Sequence, residues 1–248
     1  MTRNVFKNQS NTDSKLLSKA LKAHNSQNFL LASKSYKKIL KKNPRDQDIH
    51  RSLGDVYQNL NKLKLSEYHF RTAISLNRNC ALSCHGLAKI LFKKTHYHES
   101  IKYYEKSAEL DPINLDSKAG LANAYKALGN EDKAEDIYQY VLGVDKKHYI
   151  SLINLTNLYI QQNKFDSARK IIEAAILYYP QEHNVYYTYA VLLKRTGDTE
   201  DAIQNFAQAV KLKPNDIDSR NHIGVILSEQ HYYDESIIYL KRTLDISS

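Results

Sequence analysis

Tryptophan is absent from the 248 residues, and there are only two cysteines, four prolines and seven glycines. Each shortage excludes something. Cys80 and Cys84 alone cannot form a disulfide framework. So few prolines and glycines argue against long disordered linkers. No apolar run approaches the roughly 18 residues of a membrane-spanning helix. The N-terminus lacks a hydrophobic signal core, so the cytoplasm is the expected location. Phosphate-binding loops, glycine-rich dinucleotide turns and the His-Glu-x-x-His pattern are missing. No serine sits at a strand-to-helix elbow. A non-catalytic protein without cofactor is therefore expected.

Two groupings look like chemistry at first sight. Cys80, Cys84, His85, His96 and His98 lie close in sequence. Their spacing is not that of a structural zinc site, so no metal is expected, and Cys84 reads as a helix-packing residue. The acidic pairs Glu131/Asp132 and Asp198/Glu200 fall at turns and helix starts, where carboxylates complement the helix dipole.

Charge is distributed unevenly. Residues 1–46 hold eleven Lys or Arg against two acids and so carry the whole net charge of +9. Residues 47–248 hold 25 charges of each sign. The basic overall balance therefore gives no reason to expect nucleic acid as a partner, and no membrane partner is expected. Residues 1–12 read as a disordered basic tail. Lys34, Lys37, Lys38, Lys41 and Lys42 read as a solvated helix face, with Ile39 and Leu40 turned inward; the alternative is contact with an acidic protein, an anionic lipid surface or nucleic acid.

What is present is periodicity. In His183–Asp216, Tyr186, Tyr189, Ala190 and Leu193 form one apolar stripe of helical spacing. Ala202, Phe206, Ala209, Val210 and Leu212 form a second. Gly197 separates them and Pro214 closes the unit, which predicts a helical hairpin. The skeleton recurs every 34 residues, giving repeats 13–46, 47–80, 81–114, 115–148, 149–182, 183–216 and 217–248. Numbered within each repeat, slot 20 is always Ala or Ser, and slot 8 is always small. Slot 24 holds Tyr36, Phe70, Tyr104, Tyr138, Ile172, Phe206 and Leu240. Two helices approach closely only where both lack bulk, and the large residue fills the space beside them. Slot 15 holds Asn61, Gly129, Asn163 and Gly197 in four repeats, residues that tolerate the left-handed end of a helix.

This pattern resembles the tetratricopeptide repeat family. The resemblance covers residues 13–248 and implies an all-α, right-handed superhelical solenoid of antiparallel helix pairs. The tryptophan common at slot 4 is replaced throughout by Leu16, His50, Cys84, Lys118, Leu152, Tyr186 and Arg220. In the family, slots 2, 5, 6, 9, 12 and 13 of each first helix line a concave groove. Here those positions give Asn123, Asn154 and Asn157 as hooks for a peptide backbone. Ile150, Ile153, Ile160, Tyr187, Val191 and Val225 surround them. Lys89, Lys93, Lys126, Lys194 and Arg195 favour acidic residues in the bound segment. The asparagine pattern is partly similar to the ladder of O-GlcNAc transferases, without their catalytic domain. The carboxylate clamp of chaperone-binding relatives is incomplete, because Ala119, Asn184 and Thr188 replace its basic groups.

The reading that follows is a scaffold or adaptor gripping an extended peptide or partner protein, with no small-molecule substrate. Two alternatives are a recruitment arm of a larger enzyme, such as a glycosyltransferase or methyltransferase, and a self-associating assembly scaffold. The last rests on Ile237, Leu240 and Leu244, which share the outer face of the final helix without a polar capping element after them.

Overall fold

A computed structural model describes the backbone of residues 2–247 and the side chains from residue 14 onward, except those of residues 245 and 247. Among the described residues there are fourteen α-helices and no strand. In chain order they are α1 (Thr2–Asn25), α2 (Phe29–Leu40), α3 (Gln47–Asn59), α4 (Leu63–Leu76), α5 (Ala81–Lys93), α6 (Tyr97–Leu110) and α7 (Leu115–Ala127). They continue as α8 (Glu131–Val144), α9 (Tyr149–Gln161), α10 (Phe165–Tyr178), α11 (His183–Thr196), α12 (Thr199–Leu212), α13 (Ile217–Glu229) and α14 (Tyr233–Ser247). Every 34-residue interval holds two of them. The stretch expected as a tail differs: α1 is helical from Thr2. Side chains of residues 1–13 lie outside the described residues.

The single elongated domain expected from the repeat is described as two compact units. The first runs to Asn130 with α1–α7, and the second begins at Glu131 with α8–α14. The division falls inside the fourth repeat.

One turn geometry recurs in every repeat. Slot 15 is left-handed in all seven: Gln27, Asn61, Thr95, Gly129, Asn163, Gly197 and His231 have φ between 54° and 90°. The N–H that follows reaches back to the carbonyl five residues earlier, as in Asn28→Ala23 at 2.8 Å, His96→Leu91 at 2.9 Å and Tyr232→Leu227 at 2.9 Å. This six-to-one bond closes the first helix and turns the chain sharply into the second.

Packing follows the small slots. Phe70 in α4 is fully buried, with its ring against both Gly54 of α3 and Gly86 of α5. A Cβ on Gly54 would stand 2.7 Å from that ring, and one on Gly86 closer still. Tyr104 sits on Gly120 and Leu240 on Gly224 in the same way. One large side chain thus fastens its own pair and, for Phe70 and Tyr104, the next first helix. Where slot 20 is serine, its hydroxyl does further work. Ser66 donates to the Gly54 carbonyl at 2.7 Å, Ser100 to Ala88 at 2.8 Å and Ser236 to Gly224 at 2.7 Å. These bonds satisfy a buried hydroxyl at the closest helix approach.

First helices of successive pairs also touch. In the first unit α3 packs on α5 and α5 on α7; in the second α9 packs on α11. Side-chain ion pairs tie neighbouring repeats outside this layer, notably Glu67 with Lys94 (2.7 Å) and Glu135 with Lys164 (2.9 Å).

A candidate peptide-binding face on the first helices

The face takes shape on α9. Ser151, Leu152, Leu155, Thr156, Leu158 and Tyr159 are buried. The 3.6-residue period leaves Ile150, Ile153, Asn154, Asn157 and Gln161 on the remaining stripe. Ile150 is 38% exposed, and Ile153, Asn154 and Asn157 are half-buried. Neither asparagine amide makes a hydrogen bond within the described residues. Two half-buried amides with donors and acceptors unspent, set between isoleucines, can bond an extended backbone while the isoleucines pack its side chains.

The neighbouring first helices continue the surface. On α11, Tyr187 and Val191 are half-buried. Tyr187 meets Phe206 edge-on at 5.7 Å, and its hydroxyl lies 3.3 Å from His222 Nε2 on α13. His222 in turn stacks on Phe206 at 4.8 Å. Burial lowers the pKa of His222, with the charge of Lys194 acting in the same direction and Asp218 opposing. A neutral His222 ring can accept from the Tyr187 hydroxyl. Val225 extends the apolar surface and is 41% exposed. His222 is a contributor that sequence reasoning set aside. It occupies slot 6, the same register position as Asn154, and that register was its only signal.

Two expected contributors have contacts of their own. Ile160 is only 4% exposed and serves the core, because the last turn of α9 rotates it inward. Arg195 donates to the Asn163 side chain at 2.8 Å and so braces the turn of the preceding repeat. Lys194 remains at the rim, with Glu229 at 3.9 Å.

Lys89, Lys93, Asn123 and Lys126 belong to the first unit, on α5 and α7. The first helices there present different chemistry. Arg51 lies 3.9 Å from Asp48 and 3.6 Å from Asp55. Burial raises the Asp55 pKa, while Arg51, His24 and Lys89 oppose the rise. His85 bonds the Ser117 hydroxyl at 2.9 Å, and burial lowers its pKa. The first unit thus offers a charged inner layer and the second an apolar one with amides.

Among the described residues, no group of three or more His, Cys, Asp or Glu side chains is placed to hold a metal ion. Cys84 is buried, and Cys80 at the start of α5 accepts a hydrogen bond from Ser83 at 3.1 Å. Among the described residues, no helix is long and apolar enough to cross a membrane.

Repeated helical hairpins whose first helices pack on one another within each unit define a class of protein-interaction modules. Family models for the tetratricopeptide repeat match residues 52–80, 81–114, 115–148 and 154–247, so the chain belongs to the tetratricopeptide repeat family. It is 25% identical over 183 residues to the tetratricopeptide repeat-containing protein trd-1 of Caenorhabditis elegans, covering 73% of this chain and 23% of that protein. It is 23% identical over 199 residues to the human protein O-mannosyl-transferase TMTC1, covering 79% of this chain and 22% of that one. The chain thus spans less than a quarter of the length of these two relatives. A solved tetratricopeptide repeat protein from Parabacteroides merdae matches with a TM-score of 0.78 at 16% identity, over 96% of this chain and 94% of that one.

Proposed function

We propose that this chain is a non-catalytic adaptor that holds an extended peptide or partner segment on the face formed by α9, α11 and α13, acting in the cytoplasm. The observation that carries this reading is the pair Asn154 and Asn157, half-buried between isoleucines with their amides unspent. Tyr187, Val191 and Val225 add apolar contact, and Lys194 at the rim favours an acidic residue in the ligand. Lys89, Lys93, Asn123 and Lys126 of the first unit are a separate contact for acidic residues in this reading.

The test is a selection of linear peptides displayed at random against the purified chain. Enriched peptides should lose capture when Ile150→Arg is introduced, since Ile150 is exposed and its replacement leaves the core intact. Undiminished capture by that variant, at unchanged helicity, would move the site to another surface.

A second reading draws on the likeness to part of a mannosyl-transferase. In it the same face recruits substrate for an enzyme. Sequencing the full open reading frame separates the two, because only the second requires a catalytic region in the same polypeptide.

A further inference from the structure

The first repeat carries a surface of a different kind. Lys34, Lys37, Lys38, Lys41 and Lys42 are all exposed. At about 100° per residue Lys34, Lys37, Lys38 and the C-cap Lys41 fall within an arc of about 100°, Leu30 lies in the same arc one turn earlier, and Lys42 follows in the turn. Along the helix each lysine has another three or four residues away, about 5–6 Å off and within the screening length of about 8 Å at physiological salt, so neighbouring charges act together. Lys34, Lys37, Lys38 and Lys41 form no ion pair among the described residues. The corresponding faces of α4, α6, α8, α10, α12 and α14 are of mixed composition. In α6, for example, Lys102 and Lys106 alternate with Glu105 and Glu109.

Exposed apolar side chains occur on α2 and α4 as well. Leu30 is 60% exposed. Lys37 Nζ lies 5.5 Å from the centre of the buried Tyr57 ring, Tyr57 stacks on the buried His69 at 5.5 Å, and Tyr68 meets His69 edge-on at 5.1 Å. Tyr68 is 60% exposed and Leu65, one turn away on α4, is 43% exposed. Phosphate backbones of nucleic acids give such side chains nothing to bury against, and stacking platforms or arginine forks are missing from the stripe. A lipid headgroup layer accommodates all three features. Lysine stems lie along apolar surface with the ammonium among phosphates, leucine enters the acyl boundary, and tyrosine sits at the interface.

We infer that the outer face of α2, with Leu65 and Tyr68 of α4, docks the protein on an anionic lipid bilayer surface. This surface is separate in residues and chemistry from the α9–α11–α13 face, and neither depends on the other. The sequence favoured a solvated face and left an anionic lipid surface as one alternative for the lysines, because exposure of Leu30, Leu65 and Tyr68 is not legible there.

The experiment is co-sedimentation of the whole chain with phosphatidylcholine vesicles, with and without phosphatidylserine, at low and high salt. Wild type should bind only the phosphatidylserine vesicles, less tightly as salt rises. The variant Lys34→Gln/Lys37→Gln/Lys38→Gln/Lys41→Gln should bind at least ~100-fold more weakly, since each lysine near an anionic surface contributes roughly fivefold. A second variant, Leu30→Ser/Tyr68→Ser, should bind more weakly at high salt, where charge is screened. No binding by wild type, or equal binding by the four-lysine variant, overturns the inference. An unchanged Leu30→Ser/Tyr68→Ser variant also overturns it, as charge alone would then suit any polyanion. Tighter retention of a polynucleotide or of polyglutamate than of the vesicles assigns the stripe to that partner instead.

Discussion

At the scale of single residues, the account rests on positions where one atom decides the outcome. Thr95 holds a left-handed φ of 61° that a β-branched residue adopts at a cost. Thr95→Gly should raise stability by about 1 kcal/mol, read as a higher denaturant midpoint; a lower midpoint would contradict the turn geometry. Gly86→Ala drives a methyl into the buried Phe70 ring and should cost about 1–3 kcal/mol. Gly143→Ala in α8 meets nothing within 4 Å and should gain up to about 1 kcal/mol. No loss from Gly86→Ala would refute the packing described for Phe70. Sequence reading found the turn at Asn61, Gly129, Asn163 and Gly197, because those residue types announce it. It missed Gln27, Thr95 and His231, where tertiary packing imposes the same conformation on residues that do not favour it. The serine hydroxyls at slot 20 were likewise legible as small but not as donors.

His50 and His69 give the residue scale a pH dependence. His50 Nε2 lies 3.1 Å from the Pro44 carbonyl, which can only accept, so that nitrogen carries the proton. His50 Nδ1 then accepts from His69 Nδ1–H at 2.9 Å. Burial, then the neighbouring His50 and Lys37, lower the His69 pKa to about 4. The folded value lies below the unfolded one of about 6.5, so the unfolded chain takes up the proton first. Stability is therefore full above that value and falls as pH drops toward 4. Between pH 7 and pH 5 the loss from this group should be about 2 kcal/mol. Urea titrations at both pH values test it: His69→Phe should shrink the difference by about that amount. An unchanged difference would mean that His69 protonates freely in the fold.

At the scale of elements, helix pairing was legible from two periods, 3.6 and 34. The small slots declared which faces meet, and the helices fall in the expected intervals. The start of α1 was not legible, because a polar, basic stretch carries no apolar stripe to mark a helix. For α14 the slots tell what the helix is suited to touch. Ile237 and Leu244 are 46% and 68% exposed, and Leu240 is half-buried over Gly224. In α12 the same slots hold Ile203, Phe206 and Val210, which pack in a cluster with Ile223 and Ile226 of α13. Exposed apolar patches of this kind favour association. The chain should therefore self-associate weakly, and Ile237→Lys/Leu244→Lys should reduce it. Light scattering after size exclusion, over a concentration series, measures this; a wild-type chain monomeric at every concentration contradicts it.

At the scale of the whole molecule, two compact units present different surfaces on their first helices, charged in one and apolar with amides in the other. The candidate residues were named from register alone, and register places Asn154, Asn157, Tyr187 and Val191 on one face of the second unit. It could not separate Ile160, which the helix turns inward, from Ile150, which it turns outward. Nor could it show that Arg195 donates to the Asn163 side chain. The central claim is that Asn154 and Asn157 grip a peptide backbone. Isothermal titration of a display-selected linear peptide into wild type and Asn154→Ala/Asn157→Ala tests it most directly. Two lost hydrogen bonds at roughly 0.5–1.5 kcal/mol each should weaken binding about 5- to 150-fold, with helicity and thermal stability unchanged. Equal affinity for the two proteins would contradict the account.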